Sequence, residues 1–214
     1  MKQKKLDEIL KKHKEWIINS EQGECANLMG ASLIDASLRD TNLMGANLMG
    51  ASLMGASLID SNLMDTNLMD TNFMGASLMG ANLMGASLID SSLIDANLRD
   101  ANLMDTNLMG ANFMDASLID SSLRGANLLD TNLMDTNLMG ANFMDAKNTF
   151  SFGPIGSNFR ICHAVKHTDK IMIQAGCFWG DLKEFELKVK ETHNDNKYGK
   201  QYLAIIRAMK YIFD

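Results

Sequence analysis

Cysteine and histidine side chains in the last third of the chain are the residues whose types and spacing could support a metal site. They are Cys162, His163, His167, Cys177 and His193. Zinc sites usually pair their ligands as C-x₂₋₄-C or H-x₃₋₅-H, and only His163 and His167 have such a spacing. On one strand these two side chains would point to the same face, but no second pair completes a ligand set. We therefore expect surface histidines of a capping element, with no metal and no cofactor.

Nucleophilic catalysis is the other chemistry that these residues suggest. Cys177 could act as a nucleophile with His193 as its base, but the sequence supplies no orienting third group and no oxyanion donors. The aspartates of the chain are spread along a repeat, without the concave site in which carboxylates acquire shifted pKa values. We expect a small buried cysteine at position 177, no catalytic residues, and a protein that is not an enzyme.

A five-residue repeat runs from Ala26 to Asp145 without an insertion. Because it makes up more than half of the chain, its fold must position the segments on either side of it. Its form is [Ala/Ser/Thr]-[Asn/Ser]-[Leu/Phe]-[Met/Ile/Leu/Arg]-[Gly/Asp], in 24 units. A period of five keeps no face of a helix or a strand apolar, so the chain must turn in every unit. The large third residue and the small first residue can share a narrow interior. The second and fifth residues are types that tolerate turn dihedrals or bond nearby backbone.

This pattern closely resembles the pentapeptide-repeat family, usually summarised as A-[D/N]-L-x-x, over more than half of the chain. The resemblance implies an all-β solenoid, namely a right-handed quadrilateral β-helix with four pentapeptides in each coil. The repeat then makes about six coils, and a strand spacing of about 4.8 Å gives a shaft roughly 29 Å long. The first and third residues of each unit point inward. The expected core ladder includes Leu28, Leu48, Leu68, Leu88, Leu108, Phe73, Phe113 and Phe143.

The segment before the repeat is predicted to cover the first coil, because an open solenoid end exposes unpaired backbone and apolar side chains. Within this N-terminal cap, residues 1–25, an amphipathic helix should run from residue 3 to about 19. Its apolar face contains Leu6, Ile9, Leu10, Trp16 and Ile17. A basic amphipathic helix can also bind membranes, but capping is the simpler role. The repeat domain itself is 26–145.

Residues 146–214 are predicted to form a small α+β cap at the other end. We expect short strands at 159–165 and 170–174, and helices at 181–192 and 198–213, the first helix opening with a capping box at Asp181. The segment is similar to the C-terminal module that follows the repeats in some bacterial and phage members of the family, and the resemblance brings no known activity. The residues that carry it are Gly176-Cys177-Phe178-Trp179-Gly180, Glu184-Phe185, Thr192-His193 and Tyr198-Gly199.

The outward positions of the repeat are acidic and apolar at once. The repeats hold 14 Asp and three Arg, so their net charge is −11, whereas the whole chain carries −6. The fourth position is Met in 15 units, Ile in five, Leu in one and Arg in three. Residues twenty apart should stack, which gives a continuous apolar row with an acidic ladder beside it. This candidate interaction surface comprises Ile34, Met54, Met74, Ile94, Met114, Met134, Asp95, Asp115 and Asp135.

Three interpretations of the fourth-position rows stay open. The side chains can pack along their neighbours and shield the backbone ladder, they can bind a protein partner or a second copy, or their thioethers can bind Cu(I). The function that fits all of this is a non-enzymatic scaffold or interaction protein with an unidentified partner. The alternative comes from the resemblance: some pentapeptide-repeat proteins mimic DNA and thereby bind and protect type II topoisomerases such as gyrase. An enzyme residing in the C-terminal segment is the least favoured reading.

The composition of the chain indicates in which cellular compartment we expect the protein. No stretch of 18 or more apolar residues is present, so we expect no membrane span. The N-terminus lacks the apolar core of a signal peptide, and the three cysteines lie too far apart in sequence for a disulfide framework. We expect a cytoplasmic, bacterial protein that binds neither membranes nor nucleic acid directly.

Overall fold

The structure, a computed structural model, describes residues 1–155, 160–176 and 178–213. Helix α1, Gln3–Ile18, precedes the repeats, and a four-stranded sheet with two helices follows them. The strands and helices after the repeats are β1 Thr149–Ile155, β2 Arg160–Lys166, β3 Ile171–Ala175, β4 Phe178–Asp181, α2 Leu182–His193 and α3 Lys197–Ile212. None of the helices in these ranges has the length and apolar character needed to cross a membrane.

The repeats form a β-helix solenoid in which the second residue of each unit pairs with the residue twenty positions later. Parallel bridges join the second residues of units from Asn27↔Asn47 to Asn127↔Lys147. The N–H of Leu28 donates to the carbonyl of Asn47 at 2.7 Å, and the N–H of Asn47 donates back to Ala26 at 3.0 Å. One coil therefore takes four pentapeptides, as the family resemblance implies.

A tight turn closes every unit. In the first unit the N–H of Ala31 donates to the carbonyl of Leu28 at 3.0 Å. All 24 fifth-position residues have φ between 53° and 73°, as the third residue of a type II turn requires. Glycine adopts this region freely and Asp tolerates it better than most residues. This requirement explains why the fifth position holds only Gly or Asp.

The interior is filled by the third and first residues of each unit. The third-position leucines from Leu28 to Leu138 are buried, as are Phe73 and Phe113. Buried Thr and Ser at first positions donate their hydroxyls to backbone carbonyls, for example Thr71 to Leu48 at 3.0 Å, so they leave no polar group unpaired. Phe143 departs from the expected core ladder: it lies in the last coil and is only half-buried, with its ring 4.6 Å from that of His163.

Helix α1 packs across the first coil with one apolar face. Leu6 is buried, and Ile9 and Leu10 pack against the core of the coils. The Trp16 ring lies over Gly45, where an added Cβ would be 3.5 Å from it. The helix bounds agree with the predicted 3–19 to within a residue. The apolar face of α1 is therefore packed against the first coil.

The C-terminal strands form an antiparallel sheet in the order β1-β2-β3-β4. Strands β2 and β3 correspond to the two predicted strands, but β1 and β4 were missed. Both are edge strands, and they contain the Gly153-Pro154 pair and Gly180, residue types that usually mark loops. An edge strand tolerates Pro because one of its sides has no ladder to complete.

Helices α2 and α3 cover the sheet through a second apolar core that includes Phe152, Ile173, Phe185 and Ile206. The predicted capping box is confirmed at the start of α2. The Asp181 carboxylate accepts from the Lys183 and Glu184 N–H groups at 2.8 and 2.9 Å, and Glu184 accepts from the Asp181 N–H at 2.8 Å. These three bonds fix where β4 ends and α2 begins.

Candidate interaction surfaces

The two histidines of the H-x₃-H pair contact the last coil. His163 is buried, its Nδ1 lies 2.8 Å from the Ser151 hydroxyl, and burial lowers its pKa to about 4. The Nε2 of His167 lies 3.1 Å from the carbonyl of Thr131, and burial lowers the pKa of His167 as well. The expectation of surface histidines was therefore wrong, because both rings are used to join the sheet to the shaft.

The other candidates for chemistry are dispersed. Cys162 is buried on β2, and His193, at the end of α2, stacks on Tyr202 with 5.5 Å between ring centroids. Cys177 lies outside the described residues, so its predicted burial stays a prediction. Within the described part of the chain, no three His, Cys, Asp or Glu side chains are grouped as a metal site would require.

A fourth histidine, which the sequence analysis did not single out, is fully buried at the other end of the shaft. His13 on α1 accepts a hydrogen bond at Nδ1 from the N–H of Ala26 at 3.0 Å. Its Nε2 has no partner among the described residues, and burial lowers its pKa. The sequence did contain a signal, since His13 stands seven residues after Leu6 on the apolar face of the helix.

The fourth-position side chains form four rows along the corners of the shaft. Row 1 is Met29, Met49, Met69, Ile89, Met109 and Leu129, and row 2 is Ile34, Met54, Met74, Ile94, Met114 and Met134. Row 3 is Arg39, Ile59, Met79, Arg99, Ile119 and Met139, and row 4 is Met44, Met64, Met84, Met104, Arg124 and Met144. Rows 3 and 4 contain all three arginines of the repeats. Rows 1 and 2, which occupy successive corners, are therefore free of charge at this position along the whole shaft.

Most of these side chains are partly covered. Nine of the 24 are exposed, 14 are half-buried, and only Ile119 is buried. In row 2, Ile34 and Met74 are exposed, while Met54, Ile94, Met114 and Met134 are half-buried. The rows combine ordinary packing against neighbouring coils with an apolar surface that a partner can reach.

The fifth-position carboxylates line the same corners. Asp95, Asp115 and Asp135 are exposed and stand in three successive coils. Where a Gly follows an Asp twenty residues later, the Asp carboxylate occupies the space that a Cβ of that Gly would need, as with Asp35 and Gly55 or Asp60 and Gly80. The carboxylates thus lean along the shaft axis toward its C-terminal end.

Second-position asparagines stabilise both the turns and the stacking of coils. In the first unit the Asn27 side-chain oxygen accepts from the N–H of Met29 at 3.2 Å, a local bond that Asn forms readily in turns. Amide groups also bond to one another along the face at Asn42, Asn62, Asn82 and Asn102, with N···O distances from 2.9 to 3.4 Å. This ladder ties four successive coils together on one side.

Comparison with known proteins agrees with the geometry. A family model described as pentapeptide repeats (8 copies) matches residues 26–63, and one described as a pentapeptide repeat region matches residues 66–143. Together they account for more than half of the chain. The chain belongs to the pentapeptide-repeat family. Neither model reaches the C-terminal segment, so its resemblance to a module found in other members of the family stays a prediction.

Solved pentapeptide-repeat structures resemble the shaft. A pentapeptide repeat protein from the Arabidopsis thaliana thylakoid lumen is 30% identical over 44% of this chain and 66% of its own, with a TM-score of 0.43. HetL, involved in heterocyst differentiation regulation in the cyanobacterium Nostoc sp. strain PCC 7120, is 31% identical over 58% and 60%, with a TM-score of 0.25. QnrB1, a plasmid-mediated fluoroquinolone resistance protein, is 16% identical over 56% and 67%, with a TM-score of 0.35.

These matches cover between 60% and 67% of the relatives' own chains, and no curated protein matches the sequence. The family therefore supplies the fold of the repeats. It leaves the partner open, and the predicted bacterial origin and cytoplasmic location stay predictions.

Proposed function

We propose that this pentapeptide-repeat protein is a non-enzymatic interaction scaffold that binds a protein partner along rows 1 and 2 of its shaft. The observation that carries the proposal is the absence of any charge at the twelve fourth positions of these rows. A partner that lies along them meets an unbroken apolar track flanked by fifth-position carboxylates such as Asp95 and Asp115. Flexible methionines adapt to a partner surface better than branched side chains do.

The proposed architecture gives this track its length. We take the shaft, residues 26–145, to be a right-handed square coil of about six turns. Residues 1–25 and 146–214 act as its end caps. The contacts of Leu6 and His13 with the first coil, and of His163 and His167 with the last, support the two capping roles.

The charge states and exposure of the candidate groups support a non-enzymatic role. His163, whose Nδ1 lies 2.8 Å from the Ser151 hydroxyl, has its pKa lowered to about 4, which makes it a weak general base near neutral pH. The shaft carboxylates Asp95, Asp115 and Asp135 are solvent-exposed, outside the enclosed pockets in which catalytic carboxylates usually lie.

Two neighbouring methionines allow a matched test of the proposed track. Met74 on row 2 is 38% exposed and Met79 on row 3 is 36% exposed, so they differ in row and hardly in accessibility. A photo-crosslinking amino acid should capture a discrete partner from position 74 in the cells that make the protein. The same amino acid at position 79, beside Arg99, should capture much less. Equal capture from both positions would contradict a row-specific surface.

A second candidate function is DNA mimicry directed at a type II topoisomerase. Its support is the net charge of −11 on the repeats, with aspartates at all four corners of the shaft. A gyrase supercoiling assay tests it directly, with D95N/D115N/D135N as the charge-reduced variant. Inhibition or quinolone protection that weakens in this variant favours mimicry, and no effect of the wild-type protein on gyrase argues against it.

A further inference from the structure

The last coil is incompletely covered by the C-terminal sheet. In every earlier coil the N–H groups of third and fifth residues donate to the next coil, as when Leu123 donates to Asn142 at 2.8 Å and Gly125 to Met144 at 3.0 Å. In the last coil the first unit finds substitutes in the C-terminal segment. Leu128 donates to Lys147 at 3.1 Å, and Asp130 donates to Lys166 on β2 at 2.9 Å.

Two carbonyl groups of the last coil are also covered by the sheet. Thr131 is contacted by the His167 ring, and Thr136 accepts from the Gln174 side chain at 3.3 Å. The sheet therefore closes the coil on one part of its rim, using strand β2 and two long polar side chains.

The remaining rim is an unpaired backbone edge. Within the described residues, no hydrogen-bond partner is present for the carbonyl of Ala141 or for the N–H groups of Leu133, Asp135, Leu138, Gly140, Phe143 and Asp145. These are the groups that would bind a further coil. An edge of this kind is a template for an added extended chain.

A cavity of about 1300 Å³ lies directly over this edge. Leu138 and Phe143 form its shaft side, and Phe150 and Ile161 form its sheet side. Ile161 is 57% exposed, and Met139, which also lines the cavity, is the most exposed fourth-position methionine of the shaft, at 65%. Apolar walls together with aligned backbone donors are what a bound peptide strand requires.

The negative charges at the rim of the last coil favour a positively charged ligand. Asp135 and Asp145 line the cavity and are exposed, and Asp145 also lies 3.8 Å from the Arg124 guanidinium. A second copy meeting this end symmetrically would bring its own Asp135 and Asp145 against them, since a two-fold contact pairs the same patch. A basic, apolar segment meets the same carboxylates favourably.

The geometry points to this end of the shaft as a binding site for an extended peptide segment of a partner protein, carrying apolar and basic residues. The segment adds strands to the 136–145 edge as a further coil would. Its carbonyls accept from Leu138, Gly140, Phe143 and Asp145, and one of its N–H groups donates to Ala141. Apolar side chains enter the cavity, and Lys or Arg side chains face Asp135 and Asp145. This site is separate from rows 1 and 2 and does not rest on the function proposed for them.

A synthetic peptide tests the site on the full chain. The probe is two copies of Ala-Lys-Leu-Lys-Gly in tandem, which keeps the apolar third residue of the repeats and adds positive charge. Its all-D enantiomer is the control, because it has the same charge and apolarity but cannot pair in the same register. Isothermal titration should show saturable binding of the L-peptide at concentrations up to about 1 mM, and at least about tenfold weaker binding of the D-peptide.

Two matched variants locate the binding. I161E places a carboxylate at the exposed wall of the cavity, and I18E makes the same change at the end of α1, outside rows 1 and 2, where Ile18 is 77% exposed. I161E should weaken binding at least about tenfold, whereas I18E should leave it unchanged. Hydrogen exchange should slow at 136–145 when the peptide binds.

Three outcomes would overturn the inference. They are no saturable binding of the L-peptide, equal weakening by I161E and I18E, and self-association of the chain that I161E abolishes, which would assign the edge to a second copy. Circular dichroism spectra that match wild type establish that either variant is folded.

Discussion

The Nδ1 atom of His13 accepts a hydrogen bond from the backbone N–H of Ala26 at 3.0 Å, which joins helix α1 to the first residue of the repeats. The bond requires neutral Nδ1, so the ring carries its proton on the buried Nε2. Protonating Nδ1 would replace an acceptor with a donor aimed at another donor. The stability of this joint therefore depends on pH.

Acidification should release α1 from the first coil. Burial lowers the pKa of folded His13 below its usual 6.5, so its contribution is complete above pH 6.5 and is lost as the pH falls through the folded-state pKa. The Trp16 ring stacks on His13 with 5.5 Å between centroids, so its fluorescence reports the event in a W179F background. The expected result is a transition below pH 6.5 that is absent in H13Q, which cannot titrate. A transition of the same size in H13Q would show that the titration of other groups causes it.

Truncating a side chain in the core of the shaft should destabilise the protein much more than truncating a side chain of similar size at a corner. Leu68 is fully buried at a third position and its neighbour Met69 is half-buried at a fourth position. L68A should cost about 2 to 5 kcal/mol because the narrow interior cannot close over the cavity. M69A should cost less than about 1 kcal/mol. Urea denaturation of the two variants measures both values, and similar costs would contradict the inside and outside assignment of these positions.

The fifth position should reject residues that avoid positive φ. Gly75 has φ of 66° and open space where a Cβ would be added, so a substitution there isolates backbone strain from crowding. G75V should lose about 1 to 3 kcal/mol. G75N should be nearly neutral, because Asn tolerates this conformation. Thermal melts compare the two variants, and equal destabilisation would mean that side-chain size and not φ governs the position.

Salt should stabilise the shaft at neutral pH. Asp95, Asp115 and Asp135 are exposed in successive coils, and the whole repeat carries 14 aspartates against three arginines. Raising NaCl from about 10 to about 200 mM screens their mutual repulsion and should increase the melting temperature. The increase should be smaller in D95N/D115N/D135N. A wild-type melting temperature that falls or stays level over this range would count against repulsion along the ladder.

The repeats were largely predictable because each position has one dominant physical requirement. A buried third residue, a small first residue and a positive φ at the fifth are all visible in the residue types. The end segments were harder to predict. His13 is a polar residue on an apolar helix face, and edge strands β1 and β4 contain the Gly and Pro residues that usually mark loops.

The candidate surfaces were only partly visible in the sequence. The uncharged run of row 2 follows from a period of twenty. However, the half-burial of Met54 or Ile94 and the position of half-buried Phe143 under the sheet depend on contacts between segments far apart in sequence. The unpaired edge at 136–145 likewise depends on where β2 and Gln174 fall across the last coil, which no local pattern specifies.

Peroxide oxidation followed by mass spectrometry tests most directly the claim that fourth positions face outward in every coil. The intact chain provides internal references, since Met172 is 8% exposed and Met209 is fully buried in the C-terminal segment. The account predicts that all 15 fourth-position methionines are converted to sulfoxide faster than Met172 and Met209, with Met139 among the fastest, and that the fold persists. Shaft methionines protected as well as Met209 would contradict it, because the binding track proposed on rows 1 and 2 requires its side chains to be accessible.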